Sequence, residues 1–92
     1  MAAAKPLAIA TFNINGVNRR LPSVLTYLVR DAPDVVCLQE LEATSAQFPA
    51  AAIAEAGYSA IWAGERLWNG VAILARGGAA SQRFAIWTRA SL

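Results

Sequence analysis

The sequence predicts an α/β fold built on a mixed sheet. Short apolar runs alternate with helical patterns in the order β-α-β-α-β-β along the chain. The first strand–helix–strand unit implies a parallel pair of strands joined by a right-handed crossover. The length of 92 residues leaves room for one domain or part of one.

The first strand and the first helix have clear boundaries. A buried strand is predicted over Leu7–Ile14, an apolar run that Asn15-Gly16 closes. Pro22 fits the first turn of the helix, where a missing N–H costs nothing, and Pro33 ends it and pushes Ala32 out of helical geometry. Four apolar residues at helical spacing form the buried face of this helix: Leu21, Val24, Leu25 and Leu28.

The second strand and the second helix follow the stop at Pro33. Val35–Leu38 is a continuous apolar run, which predicts a strand buried on both faces as parallel strands are. Cys37 within it is expected to be a buried small hydrophobe. Pro49–Ala56 is predicted to be a helix that Gly57 caps.

Two further strands are predicted over Tyr58–Ala63 and Val71–Arg76. The register of this pair stays open, because Asn69-Gly70 could itself form a two-residue hairpin turn and move the loop toward the C-terminus. Beyond Gly78, Arg83–Thr88 is a weak strand candidate.

Composition excludes several classes of protein. A hydrophobic fraction of 57% with 15% charged residues excludes a disordered tail, a coiled coil and a charge-rich linker. Cys37 is the single cysteine, which excludes an internal disulfide and a cysteine-based zinc site. The sequence contains no histidine, which excludes a Ser-His-Asp triad, a histidine metal ligand and a histidine general base.

The charge and the hydropathy of the sequence indicate which partners and which cellular location to expect. The net charge of +2 and a sequence pI near 9.2 permit a nucleic-acid partner without requiring one. No apolar segment is long enough to span a membrane, and the N-terminal apolar run is short for a signal peptide. A cytoplasmic protein is therefore expected.

Polar side chains follow both strands of the predicted parallel pair. Asn13 and Asn15 close the first strand, and Gln39 and Glu40 close the second. The carboxyl ends of parallel strands share one edge of the sheet, where ligands bind in open α/β folds. One carboxylate among amide oxygens suits Mg²⁺ or Mn²⁺, since phosphate and water can complete the coordination shell. The alternative is that these residues merely begin loops, as Asn-Gly pairs commonly do.

Several blocks of the sequence resemble the exonuclease III family, the exodeoxyribonuclease III and abasic-site endonucleases of the endonuclease/exonuclease/phosphatase superfamily. The resemblance covers about residues 7–76, with the blocks in family order: residues 11–17 followed by Arg19-Arg20, residues 33–40, Phe48-Pro49, Ala56-Gly57-Tyr58 and residues 68–74. It implies a partial four-layer α/β sandwich, a mixed sheet with helices on one face and the second half of the fold missing. Residues 1–78 would be the N-terminal part of the domain, and residues 79–92 a divergent or truncated tail.

The resemblance also implies Mg²⁺- or Mn²⁺-dependent phosphodiester hydrolysis on double-stranded DNA, at abasic sites and 3′ ends. Asn13 and Glu40 match catalytic positions of the family and are the expected metal-site residues, Glu40 as a ligand and Asn13 positioning the phosphate or nearby groups. Asn15 and Gln39 look like supporting residues. The chain departs from the family at Glu42, where a basic residue is usual.

Four further residues are predicted to contact DNA. Arg19 and Arg20 follow the Asn-Gly loop and could meet phosphates, although a solvated helix start is the plain alternative. Trp68 resembles a family position that lies beside DNA, and Asn69 follows it. Trp68 could instead pack under the hairpin.

Three functions fit these patterns. The first is the N-terminal portion of a Mg²⁺-dependent DNA repair nuclease, inactive as this chain alone because the family's catalytic Asp and His residues are absent. The second is a non-catalytic α/β fragment that self-associates or needs a partner. The third is a metal-assisted phosphoesterase with a substrate other than DNA, which the blocks around Asn15 and Trp68 disfavour.

Overall fold

Strands and helices follow one another in the predicted order in the computed structural model, which describes residues 6–64 and 70–77. A single 3-10 turn at Ser45–Gln47 precedes the second helix and was not predicted. The elements are β1 (Ile9–Asn13), α1 (Leu21–Asp31), β2 (Val35–Gln39), α2 (Ala50–Glu55), β3 (Tyr58–Gly64) and β4 (Gly70–Arg76).

The four described strands form one mixed sheet in the order β1-β2-β4-β3. β1 and β2 run parallel, with α1 as their crossover, and the other two pairs are antiparallel. The predicted α/β class and the predicted parallel pair are therefore confirmed.

Helix α1 ends as its sequence predicts. Ala32 adopts a left-handed backbone with φ 45°, and its N–H donates to the Leu28 carbonyl at 3.1 Å. Because Pro33 disfavours helical geometry in the residue before it, the chain leaves the helix at Ala32 and turns directly into β2.

The core lies between the two helices and one face of the sheet. Val36 and Leu38 of β2 pair with Leu74 and Ala72 of β4, and all four side chains are at most 1% exposed. Their contacts come from both helices and from the loops that follow β1 and β2: Val17, Val24, Leu28, Leu41 and Ile53. Both helices therefore cover the same face of the sheet.

The opposite face, which we call the open face, carries Ile9, Cys37 and Val71. The prediction that β2 is buried on both faces is wrong, since burial alternates along the strand and Cys37 is only half-buried. The prediction that the first strand is buried is also wrong, since most of β1 is exposed. Ile9 is 63% and Val71 53% exposed. The physical reason is that, within the described residues, the helices pack on the other face alone. An apolar run indicates that a strand can be buried, but it does not say what covers it.

The hairpin register is now settled. Gly64 pairs with Gly70, and this pairing is incompatible with a two-residue turn at Asn69-Gly70. Trp68 and Asn69, and the strand candidate Arg83–Thr88, lie outside the described residues. No helix in the described part of the chain is both long and apolar enough to cross a bilayer.

Tyr58 anchors the start of β3 beneath the loop between α1 and β2. Its side chain is buried, and its hydroxyl donates to the Pro33 carbonyl at 2.6 Å. Burial raises the pKa of Tyr58 above its usual value. The folded chain therefore keeps this phenol un-ionised at pH values where the unfolded chain releases its proton.

We expect the free energy of unfolding to decline as pH rises above about 10, because the unfolded state then binds fewer protons than the folded state. Tyr58→Phe should cost about 1 kcal/mol at neutral pH through the lost hydrogen bond, and it should reduce the alkaline decline. Urea denaturation at neutral and alkaline pH measures both effects. An alkaline decline of the same size in both proteins would contradict this assignment.

Candidate functional site

Two loops leave the sheet side by side at the carboxyl ends of β1 and β2. Asn13 and Gln39 are register partners at the ends of these parallel strands. The pairing continues past the strands, since the Gly16 N–H donates to the Glu40 carbonyl at 3.0 Å and the Val17 N–H to the Leu41 carbonyl at 2.9 Å. We call this region the site edge; it comprises Asn13, Asn15, Gln39 and Glu40.

Asn13 and Glu40 are in direct contact at the site edge. The Asn13 amide Nδ2 donates a hydrogen bond to Glu40 Oε2, across a separation of 27 residues in sequence. Glu40 adopts a left-handed backbone with φ 55°, which turns the chain out of β2 immediately after Gln39. Left-handed geometry is unfavourable for a residue with a Cβ, and such strain is typical of functional sites.

The two residues that are predicted to support this pair occupy different surroundings. Gln39 lies on the open face, where its Nε2 donates to Thr11 Oγ1 at 2.8 Å, so its amide links β2 to β1. Asn15 is exposed, with φ 49°, and its backbone carbonyl accepts a hydrogen bond from Arg19. The site edge thus brings Asn13 and Glu40 into contact, with Gln39 and Asn15 beside them.

The two arginines that follow the site edge differ in their contacts. Arg19 Nη2 donates to the Asn15 carbonyl at 2.6 Å and lies 3.9 Å from Glu42 Oε1. Arg20 is exposed at the residue before α1. The assignment of these arginines to DNA contact stays a prediction, and that of Trp68 and Asn69 lies outside the described residues.

The oxygen atoms of the site edge suit a hard divalent cation. Glu40 offers a carboxylate, and Asn13 offers an amide oxygen beside it. Residues 6–64 and 70–77 contain no group of three acidic, histidine or cysteine side chains that could hold a metal. Mg²⁺ fits a small donor set of this kind, because it keeps several waters and binds through one or two carboxylates together with substrate phosphate.

Side-chain hydrogen bonds and a ring contact hold the loop after Glu40, a feature that was not predicted from the sequence. Thr44 and Gln47 form a capping box around the 3-10 turn, a T-x-x-Q signal that the sequence displays. The Trp62 indole Nε1 donates to the Ser45 carbonyl at 2.9 Å, and its ring stacks on Phe48 at 4.5 Å between centroids. Contacts with Trp62 of β3 therefore hold the chain that leaves the site edge.

Comparison with known proteins identifies relatives of this chain. The sequence profile described as the Endonuclease/Exonuclease/phosphatase family matches residues 10–89. Among solved structures, the 3′ phosphatase NExo from Neisseria bound to a product DNA hairpin is 42% identical, with a TM-score of 0.75 over 77% of this chain and 28% of that one.

Two further structures are similar to a comparable degree. The 3′-5′ exonuclease NExo from Neisseria meningitidis is 43% identical, with a TM-score of 0.74 over 76% of this chain and 27% of that one. An AP endonuclease from Archaeoglobus fulgidus is 38% identical, with the same TM-score and the same coverages.

The chain thus spans little more than a quarter of the length of the structures it matches. The resemblance that the blocks around Asn13 and Glu40 indicated is confirmed. The chain belongs to the Endonuclease/Exonuclease/phosphatase family and corresponds to an N-terminal portion of its exonuclease III-type members.

Proposed function

We propose that the site edge is one part of a divalent-metal site for phosphodiester hydrolysis, within the N-terminal portion of a Mg²⁺-dependent DNA repair nuclease. Its substrate would be double-stranded DNA with abasic sites or 3′ ends to be processed. The observation that carries the proposal is the contact between Asn13 and Glu40 at the ends of neighbouring parallel strands. The proposal is further supported by the similarity to DNA-processing enzymes.

Each residue of the pair has a distinct task in this proposal. Glu40 holds Mg²⁺ or Mn²⁺, and Asn13 can add its amide oxygen to the donor set. The bound ion would polarise a phosphodiester and lower the barrier to attack by water. Asn13 orients the Glu40 carboxylate by donating to Oε2, which leaves Oε1 free of that bond. The second N–H of the same amide can donate to a phosphate oxygen.

Among the residues that the structure describes, no group near Glu40 is suited to remove a proton from the attacking water. The chain contains no histidine, and the acidic side chain nearest to Glu40 in sequence, Glu42, lies within 3.9 Å of Arg19. A general base must lie within hydrogen-bond reach of the water that it activates. We therefore expect this chain to bind the ion without cleaving an abasic-site duplex; robust cleavage that Glu40→Ala abolishes would overturn this inactivity.

The test of the metal site is a Mn²⁺ titration of the chain, followed by the paramagnetic broadening of its amide resonances. Glu40→Gln should weaken binding by about tenfold or more, because even groups outside the ligand shell change affinity by that factor. Glu55→Gln is the matched control, since it removes the same charge from an exposed position on α2. Equal affinities in both variants and the native chain would contradict the proposal.

A second candidate, a non-catalytic fragment that self-associates, is favoured by one observation. Ile9 and Val71 expose more than half of their surface on the open face. Apolar surface left open in this way favours association with a further chain. Sedimentation of a single monomeric species at high protein concentration would contradict this candidate, whereas Mn²⁺ binding at Glu40 would favour the first.

A further inference from the structure

We infer that Arg19 is a positioning residue that ties together the two loops carrying Asn13 and Glu40. The effect of Arg19 on the metal site rests on the proposed function. The bridge itself, meaning the contacts of Arg19 with Asn15 and Glu42, is a feature of the structure. Asn15 lies two residues after Asn13, and Glu42 lies two residues after Glu40. A side chain that holds both can fix the relative position of the two loops.

The contacts of the Arg19 guanidinium reach both loops. Nη2 donates to the Asn15 carbonyl at 2.6 Å, which is a short, charge-assisted hydrogen bond. The same nitrogen lies 3.9 Å from Glu42 Oε1, within the range of an ion pair. The Arg19 side chain is 64% exposed and that of Glu42 23%, so solvent weakens the ion pair.

Gly16 provides the space for this bridge. Its backbone has φ 101°, and a Cβ there would lie 3.2 Å from Arg19 Nη2. The Gly16 N–H donates to the Glu40 carbonyl at 3.0 Å. The guanidinium therefore lies over the point where the backbones of the two loops are hydrogen-bonded to each other.

The backbone of both loops needs such support. Asn15, Glu40 and Glu42 all adopt left-handed geometry, with φ of 49°, 55° and 51°. Residues that carry a Cβ persist in this region only where their surroundings hold them there. Arg19 contacts two of these three residues, one on each loop. This role gives Arg19 a partner on each side of the site edge.

The bridge is tested by amide hydrogen exchange of Gly16 and Val17, measured by NMR without metal or DNA. Both amides donate across the two loops, so their exchange reports on separation of the loops. Arg19→Ala should accelerate both by about twofold to fivefold, the range expected for the loss of the exposed ion pair with Glu42, which is the contact that joins the two loops. Arg19→Lys should restore part of the protection, and Glu42→Gln should cause a smaller acceleration.

The matched control is Arg30→Ala, which removes the same charge from an exposed ion pair with Asp31 at the other end of α1. It should leave Gly16 and Val17 unchanged. Unchanged exchange of Gly16 and Val17 in Arg19→Ala would overturn the inference. Faster exchange of all amides together with a lower urea midpoint would also overturn it, because it would indicate a general loss of stability. Faster exchange confined to Gly16 and Val17, in a chain that binds no Mn²⁺ at Glu40, would support the bridge and contradict the proposed function.

Discussion

Gly64→Ala is expected to lower the free energy of unfolding by about 3 kcal/mol, at the upper end of what overpacking usually costs. An alanine Cβ at this position would lie 2.3 Å from the Ala43 carbonyl oxygen. It would also lie 2.8 Å from the Thr44 carbonyl carbon and 2.9 Å from the Ser45 nitrogen. All three are backbone atoms, so a side-chain rotation cannot relieve the overlap.

The loop that meets Gly64 has little freedom to move away. The Gly64 N–H donates to Ser45 Oγ at 3.0 Å, and the Ser45 hydroxyl lies 3.3 Å from the Gly64 carbonyl that accepts from it. Ala43 is 3% exposed, and the Trp62 indole N–H donates a hydrogen bond to the Ser45 carbonyl. Because this loop follows Glu40, the close approach at Gly64 also helps to place the site edge.

Urea denaturation followed by tryptophan fluorescence measures this loss. Gly57→Ala is the control, because Gly57 has φ 94° but the described residues leave open space where its Cβ would stand. It should cost about 1–2 kcal/mol, the backbone penalty of left-handed geometry alone. A loss for Gly64→Ala no greater than that for Gly57→Ala would contradict the steric argument.

The close approach at Gly64 is a feature that the sequence could not predict. Local patterns predicted the elements well: the apolar spacing of α1 and the Pro33 stop depend on neighbours along the chain. The close approach at Gly64 depends on a loop 20 residues earlier crossing the end of β3. Neither hydrophobic periodicity nor turn chemistry indicates that crossing, so the presence of a glycine at the end of a strand did not reveal the contact with the loop.

At the site edge, too, some contacts could be predicted from the sequence and others could not. Contact between Asn13 and Glu40 followed from topology, because parallel strands bring their carboxyl ends to one edge whatever the loops do. The bridge from Arg19 to Glu42 did not follow, since it depends on left-handed backbone at Asn15 and Glu42. The open face escaped prediction for a related reason: the apolar run around Cys37 does not reveal which of its faces a helix covers.

Asn13→Asp is expected to convert the contact at the site edge into a repulsive pair of carboxylates that a divalent ion can bridge. In the native chain the Asn13 amide donates to Glu40 Oε2, and the substitution replaces that donor with an acceptor. Without metal, we expect a loss of about 1 kcal/mol in the free energy of unfolding near neutral pH, since Asn13 is exposed, Glu40 is only half-buried and solvent therefore screens the repulsion.

With bound metal, we expect Asn13→Asp to stabilise the chain instead of destabilising it. A second carboxylate adds charge to the donor set, so Mn²⁺ should bind Asn13→Asp about tenfold more tightly than the native chain. Mn²⁺ at a hundredfold excess over its Kd should then stabilise the variant by about 2.7 kcal/mol, which urea denaturation with and without the ion can measure. Thr26→Glu adds the same charge on the exposed side of α1 and should leave Mn²⁺ affinity unchanged. A destabilised Asn13→Asp chain that Mn²⁺ does not rescue would show that the two side chains meet without forming a metal site.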